Sequence, residues 1–358
     1  MKSINNEKLM KKIALRFSTT IIHHSLLIIH FACGIQIIQS LYKDVECCRK
    51  EDRKMKNIKI GNKFETSAVS LGCMRMGNLN EKKVDAIIDT AMENGINFFD
   101  HADIYGGGNA EKVFGEYLKR HNGQREKMII QTKCAIHDGQ FDFSKEHILK
   151  SVDGSLSRLG VDYVDVLLLH RPDTLMEPEE VAEAFDKLES TGKVKYFGVS
   201  NQNMMQMELL KTAVKQPLII NQLQFSVTEA GMVTSGMNVN MKNAESVMHD
   251  GSFLEYSRIK NITIQAWSPF QYGFFKGNFV DSGEFPELNE KLAEIGEKYG
   301  LTKTGVAAAW ILRHPADMQL IAGTMNTEHL IEICKASDVK LSRTEWYEIY
   351  RAAGHMLP

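Results

Sequence analysis

Residues 96–117 read INFFDHADIYGGGNAEKVFGEY, and the order of their parts decides the fold. The apolar run 96–99 is the length of a strand buried on both faces. Polar groups follow at once: Asp100, His101, Asp103 and Tyr105. Three glycines at 106–108 then lead into a stretch where Ala110, Val113, Phe114 and Tyr117 recur at i, i+3, i+4 and i+7, the stripe of a one-sided helix. This is a β/α unit with a chemically capable loop at the carboxyl end of its strand.

The unit recurs in both directions. Strands are predicted at 68–71, 128–132, 164–169, 196–199, 219–223, 262–266 and 318–321. Helical stripes lie between them: Val84, Ile87, Ile88 and Ala91; Ile148, Val152, Leu156 and Leu159; Val181, Ala184, Phe185 and Leu188. Ser144 precedes the second of these as a cap and Gly160 ends it. Eight strands, each followed by a helical stretch, predict an α/β protein with a closed (β/α)8 TIM barrel. A short β-hairpin precedes the first barrel strand. No G-x-G-x-x-G joins the first strand to the first helix, where an open dinucleotide-binding sheet would need it, and no phosphate loop of the G-x-x-x-x-G-K-[ST] type occurs.

Residues 58–358 carry this barrel and 1–57 form an N-terminal extension. After a basic start, residues 18–42 read STTIIHHSLLIIHFACGIQIIQSLY, an anchor-like stretch interrupted by His23, His24, His30, Gln36 and Gln39, which are costly in hydrocarbon. The charged run RKEDRK then precedes Met55. We read 1–54 as an over-extended gene start, with a membrane anchor as the rival; a native amino terminus upstream of Met55, found by mass spectrometry, excludes the first reading. Apart from that segment, no membrane contact is expected.

The 358 residues carry 43 Lys and Arg against 45 Asp and Glu, so no basic excess is present to displace counterions from a nucleic acid. The six cysteines (Cys33, Cys47, Cys48, Cys73, Cys134 and Cys334) have neither metal-type spacing nor the density of a disulfide scaffold, which fits a reducing cytoplasm.

Chemistry in such a barrel gathers where strands end. The second strand ends at Asp100, the third at Lys133, the fourth at His170 and the fifth at Ser200 and Asn201; the sixth carries Gln222, the seventh ends at Trp267 and Ser268, and the eighth at Gly323 and Thr324. A phenol with a pKa of about 10 is a poor acid at neutral pH. An ammonium at Lys133, held by Asp100, is expected to lower that of Tyr105. His170 would orient a carbonyl oxygen while Tyr105 protonates it. No protein side chain delivers hydride, so a nicotinamide is required.

With FFDHADIYG, the Lys133 strand end, LLLHRPD, GVSN, the Gln222 strand, AWSPF and IAGT in this order, the chain resembles the aldo-keto reductase superfamily, in its bacterial oxidoreductase subgroup, from about Lys59 to the end. The resemblance implies a catalytic tetrad of Asp100, Tyr105, Lys133 and His170. It implies that Ser200, Asn201 and Gln222 hold the nicotinamide carboxamide and that Trp267 stacks on the ring. It further implies that Ser268, Pro269, Phe270, Gly323 and Thr324 line the pyrophosphate and adenosine end, with His329 near the 2′-phosphate and Glu332 near adenine. The cofactor expected is NADPH, with NADH not excluded. Where many members carry a basic residue and an Arg for the 2′-phosphate, this chain has Gly323 and His329, and Ile333 replaces a common Asn.

Blander readings apply to neighbouring residues. A metal site built on His101, Asp103 and His170 lacks a His-x-His on the first strand, so no metal is expected. His101 is read as structural or substrate-facing, Cys73 and Cys134 as small apolar fillers, and Met204, Met205 and Met207 as helix core. The irregular stretch 228–244 is a candidate substrate lid. Two functions follow: an NAD(P)H-dependent reductase acting on a small aldehyde or ketone, or a cofactor-binding regulatory subunit of the channel β-subunit kind with little turnover.

Overall fold

Apolar runs covered on both faces have one stable arrangement here, a parallel sheet closed on itself with helices outside. The computed structural model describes residues 55–239, 241–247 and 252–357. Among these, eight parallel strands form a closed barrel: β1 (Val69–Gly72), β2 (Phe98–Asp100), β3 (Ile129–Cys134), β4 (Val164–Leu169), β5 (Val194–Ser200), β6 (Leu218–Gln224), β7 (Thr263–Trp267) and β8 (Gln319–Ala322). The barrel closes where β8 pairs with β1, Leu320 opposite Val69 and Ala322 opposite Leu71. Every residue of β4, VDVLLL, is buried, as a two-faced strand requires.

Helices α1 (Glu81–Glu93), α2 (Asn109–Arg120), α3 (Lys145–Leu159) and α4 (Pro178–Ser190) bury the predicted stripes, apart from a half-buried Val113. Ser144 caps α3 by accepting from the His147 amide at 3.3 Å, and Gly160 ends it at φ +64°. Helices α2 and α3 approach closely at Gly115, where a Cβ would overlap the Arg158 carbonyl and lie 2.7 Å from that of Leu159. Both obstacles are backbone, so Gly115→Ala must push two helices apart. We expect a stability loss of about 1–3 kcal/mol, read as a lower midpoint in urea unfolding.

The hairpin Asn57–Ile60 and Phe64–Ser67 closes the amino-terminal end of the barrel. The Gly61 amide donates to Thr263 Oγ1 at the start of β7 (2.9 Å), and the Phe64 ring lies 4.9 Å from that of Tyr196 on β5. Asn97 Oδ1, just before β2, accepts from the Ser67 amide at 3.0 Å. The opposite end is left open.

Two local expectations fail. In helix α5 (Met204–Leu210) Met207 is core, but Met205 is exposed and Met204 half-buried, because a seven-residue helix buries one narrow face. The stretch 228–244 contains a short helix α6 (Gly231–Met237), whose Thr234 hydroxyl lies 2.8 Å from that of Tyr350 in the carboxyl-terminal helix Arg343–Ala352. Residues 1–54, including 18–42, lie outside the described residues. No described helix is long and apolar enough to cross a membrane.

Candidate active site

The open end of the barrel holds a cavity of about 1210 Å³. Asp100, Tyr105 and His170 line one part of it, and Ser268, Pro269, Phe270, Gly323, Thr324 and His329 another. Three strand ends bring the four ionisable groups together: β2 supplies Asp100 and, in the loop after it, Tyr105, β3 supplies Lys133 and β4 supplies His170. Lys133 is fully buried, with Nζ 2.8 and 2.9 Å from the two carboxylate oxygens of Asp100. It also donates to the His101 carbonyl (2.7 Å) and to the Tyr105 hydroxyl (2.9 Å). An ammonium has three donors, so all are engaged. One is spent on the Tyr105 oxygen, which leaves the phenol's own proton free to point into the cavity.

The direction of the Tyr105 pKa corrects the sequence expectation. Burial raises it above 10.0; Lys133 pulls it down and Asp100 pushes it up, and the net is upward. The phenol therefore keeps its proton across the neutral range, held ready by Lys133 rather than ionised by it. Burial opposes the charge on Lys133, but Asp100 and Tyr105 more than compensate and raise its pKa. Burial, then Lys133 and Arg171, hold His170 well below 6.5, so its imidazole is neutral. The Tyr105 and His170 rings meet edge to face at 5.9 Å, and His170 Nδ1 is buried without a partner.

Beneath Asp100 lies a column of amides that the sequence did not reveal. Gln131 Nε2 (β3) donates to Asp100 Oδ1 at 2.6 Å and to Gln265 Oε1 (β7) at 2.9 Å. Gln222 Nε2 (β6) reaches the same two oxygens at 3.1 and 2.9 Å. Gln265 Nε2 donates to Gln319 Oε1 (2.8 Å), and Gln319 Nε2 to the Ser67 carbonyl on the barrel floor (2.8 Å). Donors to a buried carboxylate fix its direction and favour its charge. Gln131→Leu removes the shortest of them; we expect a stability loss of about 1.5–3 kcal/mol and a fall in kcat with little change in cofactor affinity, checked by urea unfolding and cofactor titration.

The residues implied for the nicotinamide also meet. Ser200, Asn201, Gln222 and Trp267 all line the cavity. The Ser200 hydroxyl donates to the Gln222 carbonyl (3.0 Å), Asn201 Nδ2 to Ser200 Oγ (2.7 Å), and Trp267 Nε1 to Asn201 Oδ1 (3.2 Å). Asn201 and Ser268 have φ of +57° and +50°, unfavourable conformations of the kind that gather at working sites. Glu332 is different: it accepts from the Thr302 hydroxyl at 3.2 Å and does not line the cavity. His101 is fully buried against Phe114, 4.6 Å between ring centres, and burial followed by Lys133 pushes its pKa down to about 3; it is structural, not substrate-facing. Cys73 and Cys134 are buried fillers whose thiols burial pushes well up.

None of the described residues of 228–244 lines the cavity, although Thr228 donates to the carbonyl of the cavity-lining Gln271 at 3.3 Å. Phe274 and Phe275 line it instead, Phe275 stacked at 6.1 Å on Trp267. Arg171 and Arg75 were also missed. Arg171 follows His170 in LLLHRPD and holds its guanidinium 5.7 Å over the Trp267 ring; Arg75 donates to the Gly323 carbonyl at 3.0 Å. Both line the cavity, and among the described residues neither forms an ion pair with a carboxylate.

The sequence model described as "Aldo/keto reductase family" matches residues 68–353. The 6-dehydroglucose reductase of Agrobacterium fabrum is 35% identical over 312 residues, covering 84% of this chain and 98% of that protein. The uncharacterized oxidoreductase YcsN of Bacillus subtilis is 35% identical over 319 residues, covering 85% and 100%. The fold matches that of an aldo/keto reductase from Klebsiella pneumoniae solved with NADP and acetate, with TM-score 0.67 and 22% identity over 83% of this chain and 95% of that one.

Proposed function

Because the chain belongs to the aldo/keto reductase family, we propose that it reduces the carbonyl of a small aldehyde or ketone with NADPH, using Tyr105 as the proton donor. The observation that carries this reading is the Tyr105 phenol at the cavity wall, its oxygen accepting from Lys133 at 2.9 Å. The residues fit the cofactor. A single cavity joins the reacting groups to the Gly323–Thr324 turn, and a Cβ at Gly323 would meet only Arg75 Nη1, at 3.7 Å, so backbone is accessible there. Loops after the seventh and eighth strands are the usual phosphate site of such barrels.

Ser200, Asn201 and Gln222 would hold the carboxamide, Trp267 would cover the ring, and Ser268–Phe270, Gly323 and Thr324 would take the pyrophosphate end. When bound, the reduced nicotinamide supplies the hydride that no side chain can. The chain's own part is to hold the carbonyl oxygen between Tyr105 and the neutral His170, and to deliver the Tyr105 proton to it. Lys133 remains charged and steadies the phenolate left behind, while Asp100 keeps the ammonium in place. Arg171 offers donors to an oxygen-bearing substituent of the substrate. This agrees with the sugar aldehyde named for the Agrobacterium relative.

Arg75, at the Gly323 carbonyl in the cavity wall, supplies a permanent positive charge beside the turn. We expect NADPH to bind more tightly than NADH, and Arg75→Ala to narrow the difference, measured by fluorescence titration of each cofactor. The regulatory-subunit reading uses the same side chains. One assay separates the two: NADPH oxidation with a panel of aldehydes and ketones, sugar aldehydes included. Turnover supports a reductase; tight cofactor binding without turnover on any of them favours the subunit.

A further inference from the structure

Beside the cavity, the chain leaves β3 in a two-residue hairpin, Ile136–His137 paired with Gln140–Phe141, before entering α3. Ile136 and Phe141 point into the cavity wall, but His137, Asp142 and His147 do not line it. These three residues each present one ligand atom within 4.8 Å of the others. We propose that they form a zinc site that fastens the hairpin to the first turn of α3.

The donor set is two imidazole nitrogens and one carboxylate oxygen with a fourth position open to water, a combination that suits zinc. Tetrahedral bonds of about 2.0–2.2 Å place ligand atoms roughly 3.3 Å apart. His137 Nε2 and Asp142 Oδ2 already stand 3.1 Å apart. The two imidazoles are stacked with ring centres 4.2 Å apart, so His147 must turn out of the stack to bring its ring plane onto the ion.

The outer shell is also in place. A metal-binding imidazole normally has its second nitrogen held by a carboxylate, carbonyl or hydroxyl, which fixes tautomer and ring direction. His137 Nδ1 faces Asp138 Oδ2 at 3.3 Å, leaving Nε2 for the ion. His147 Nε2 faces the Ser151 hydroxyl at 3.2 Å, leaving Nδ1. Asp142 Oδ1 accepts from the Ser144 amide at 2.8 Å, which leaves Oδ2 to coordinate. Each ligand thus has one atom anchored and a second left to coordinate. The ion would be structural, since its ligands stay out of the cavity, and the site does not depend on the reductase reading.

Calorimetric titration of the metal-free full chain with zinc should show one site that is lost in the double variant His137→Ala/His147→Ala. Cobalt used as a probe should give the intense visible bands of a tetrahedral site in the wild type and not in that variant. Asp138→Asn, which keeps a residue tolerant of the left-handed turn (φ +48°) and removes only the charge of the exposed supporting carboxylate, should weaken zinc about 10–100-fold while leaving the thermal midpoint of the metal-free protein unchanged. Zinc binding of wild-type strength in the double variant, or no binding by the wild type, overturns the proposal.

Discussion

Tyr105→Phe should lower kcat for carbonyl reduction by about 10²–10⁴-fold, the usual contribution of a placed acid, and leave the cofactor dissociation constant nearly unchanged. The ring and its edge-to-face contact with His170 remain; only the hydroxyl is lost. That loss leaves one Lys133 N–H without its acceptor in a fully buried site, so a stability decrease of about 1–3 kcal/mol should accompany it. The pH profile gives a second check. A donor must carry its proton, and burial keeps the Tyr105 pKa above 10.0, so no alkaline fall in rate is expected near neutrality. Burial, Lys133 and Arg171 hold the His170 pKa well below 6.5 and keep its imidazole neutral, so no fall is expected on the acid side near its ordinary value either. A limb between pH 6 and 8, or full activity in the phenylalanine variant, would remove Tyr105 from its role.

The second large effect belongs to Lys133. Lys133→Met leaves Asp100, only 2% exposed, as an uncompensated buried carboxylate. Breaking such a pair costs about 3–5 kcal/mol, because the remaining charge keeps its desolvation penalty without its counter-charge. The enzyme should lose activity and unfold at a clearly lower urea concentration. The double variant Asp100→Asn/Lys133→Met removes both charges and should recover most of the stability with none of the activity. Failure of the double variant to regain stability would mean that the loss arises from packing.

Most of the barrel was legible because its signals are local. A six-residue apolar strand such as 164–169 and a stripe such as Val84, Ile87, Ile88 and Ala91 each declare themselves within one window. Asp100, Lys133 and His170 were legible because each follows an apolar run, and Tyr105 because it lies in the loop that Asp100 opens. The amide column was not: Gln131, Gln222, Gln265 and Gln319 are far apart in sequence, and only closure of the barrel places them along one axis. Gln222 could be assigned a place facing the cofactor, but nothing near it in sequence points to Asp100. The direction of the Tyr105 pKa was hidden for a related reason. Its charged neighbours can be named from the sequence, whereas the degree of burial that outweighs them depends on the whole fold. Composition has its limit too: residues 228–244 look irregular, yet part of them forms a helix that meets the carboxyl-terminal helix, and none of the described ones lines the cavity.

The amides along the barrel axis have a consequence for how the enzyme resets. Carboxamides neither take up nor release protons at ordinary pH, so the column solvates Asp100 from below without offering protons a route through the floor. On the proposed reading, Tyr105 would regain its proton from bulk water through the same mouth by which the product leaves. A product that lingers in that mouth would then delay the renewal of the acid as well as its own release.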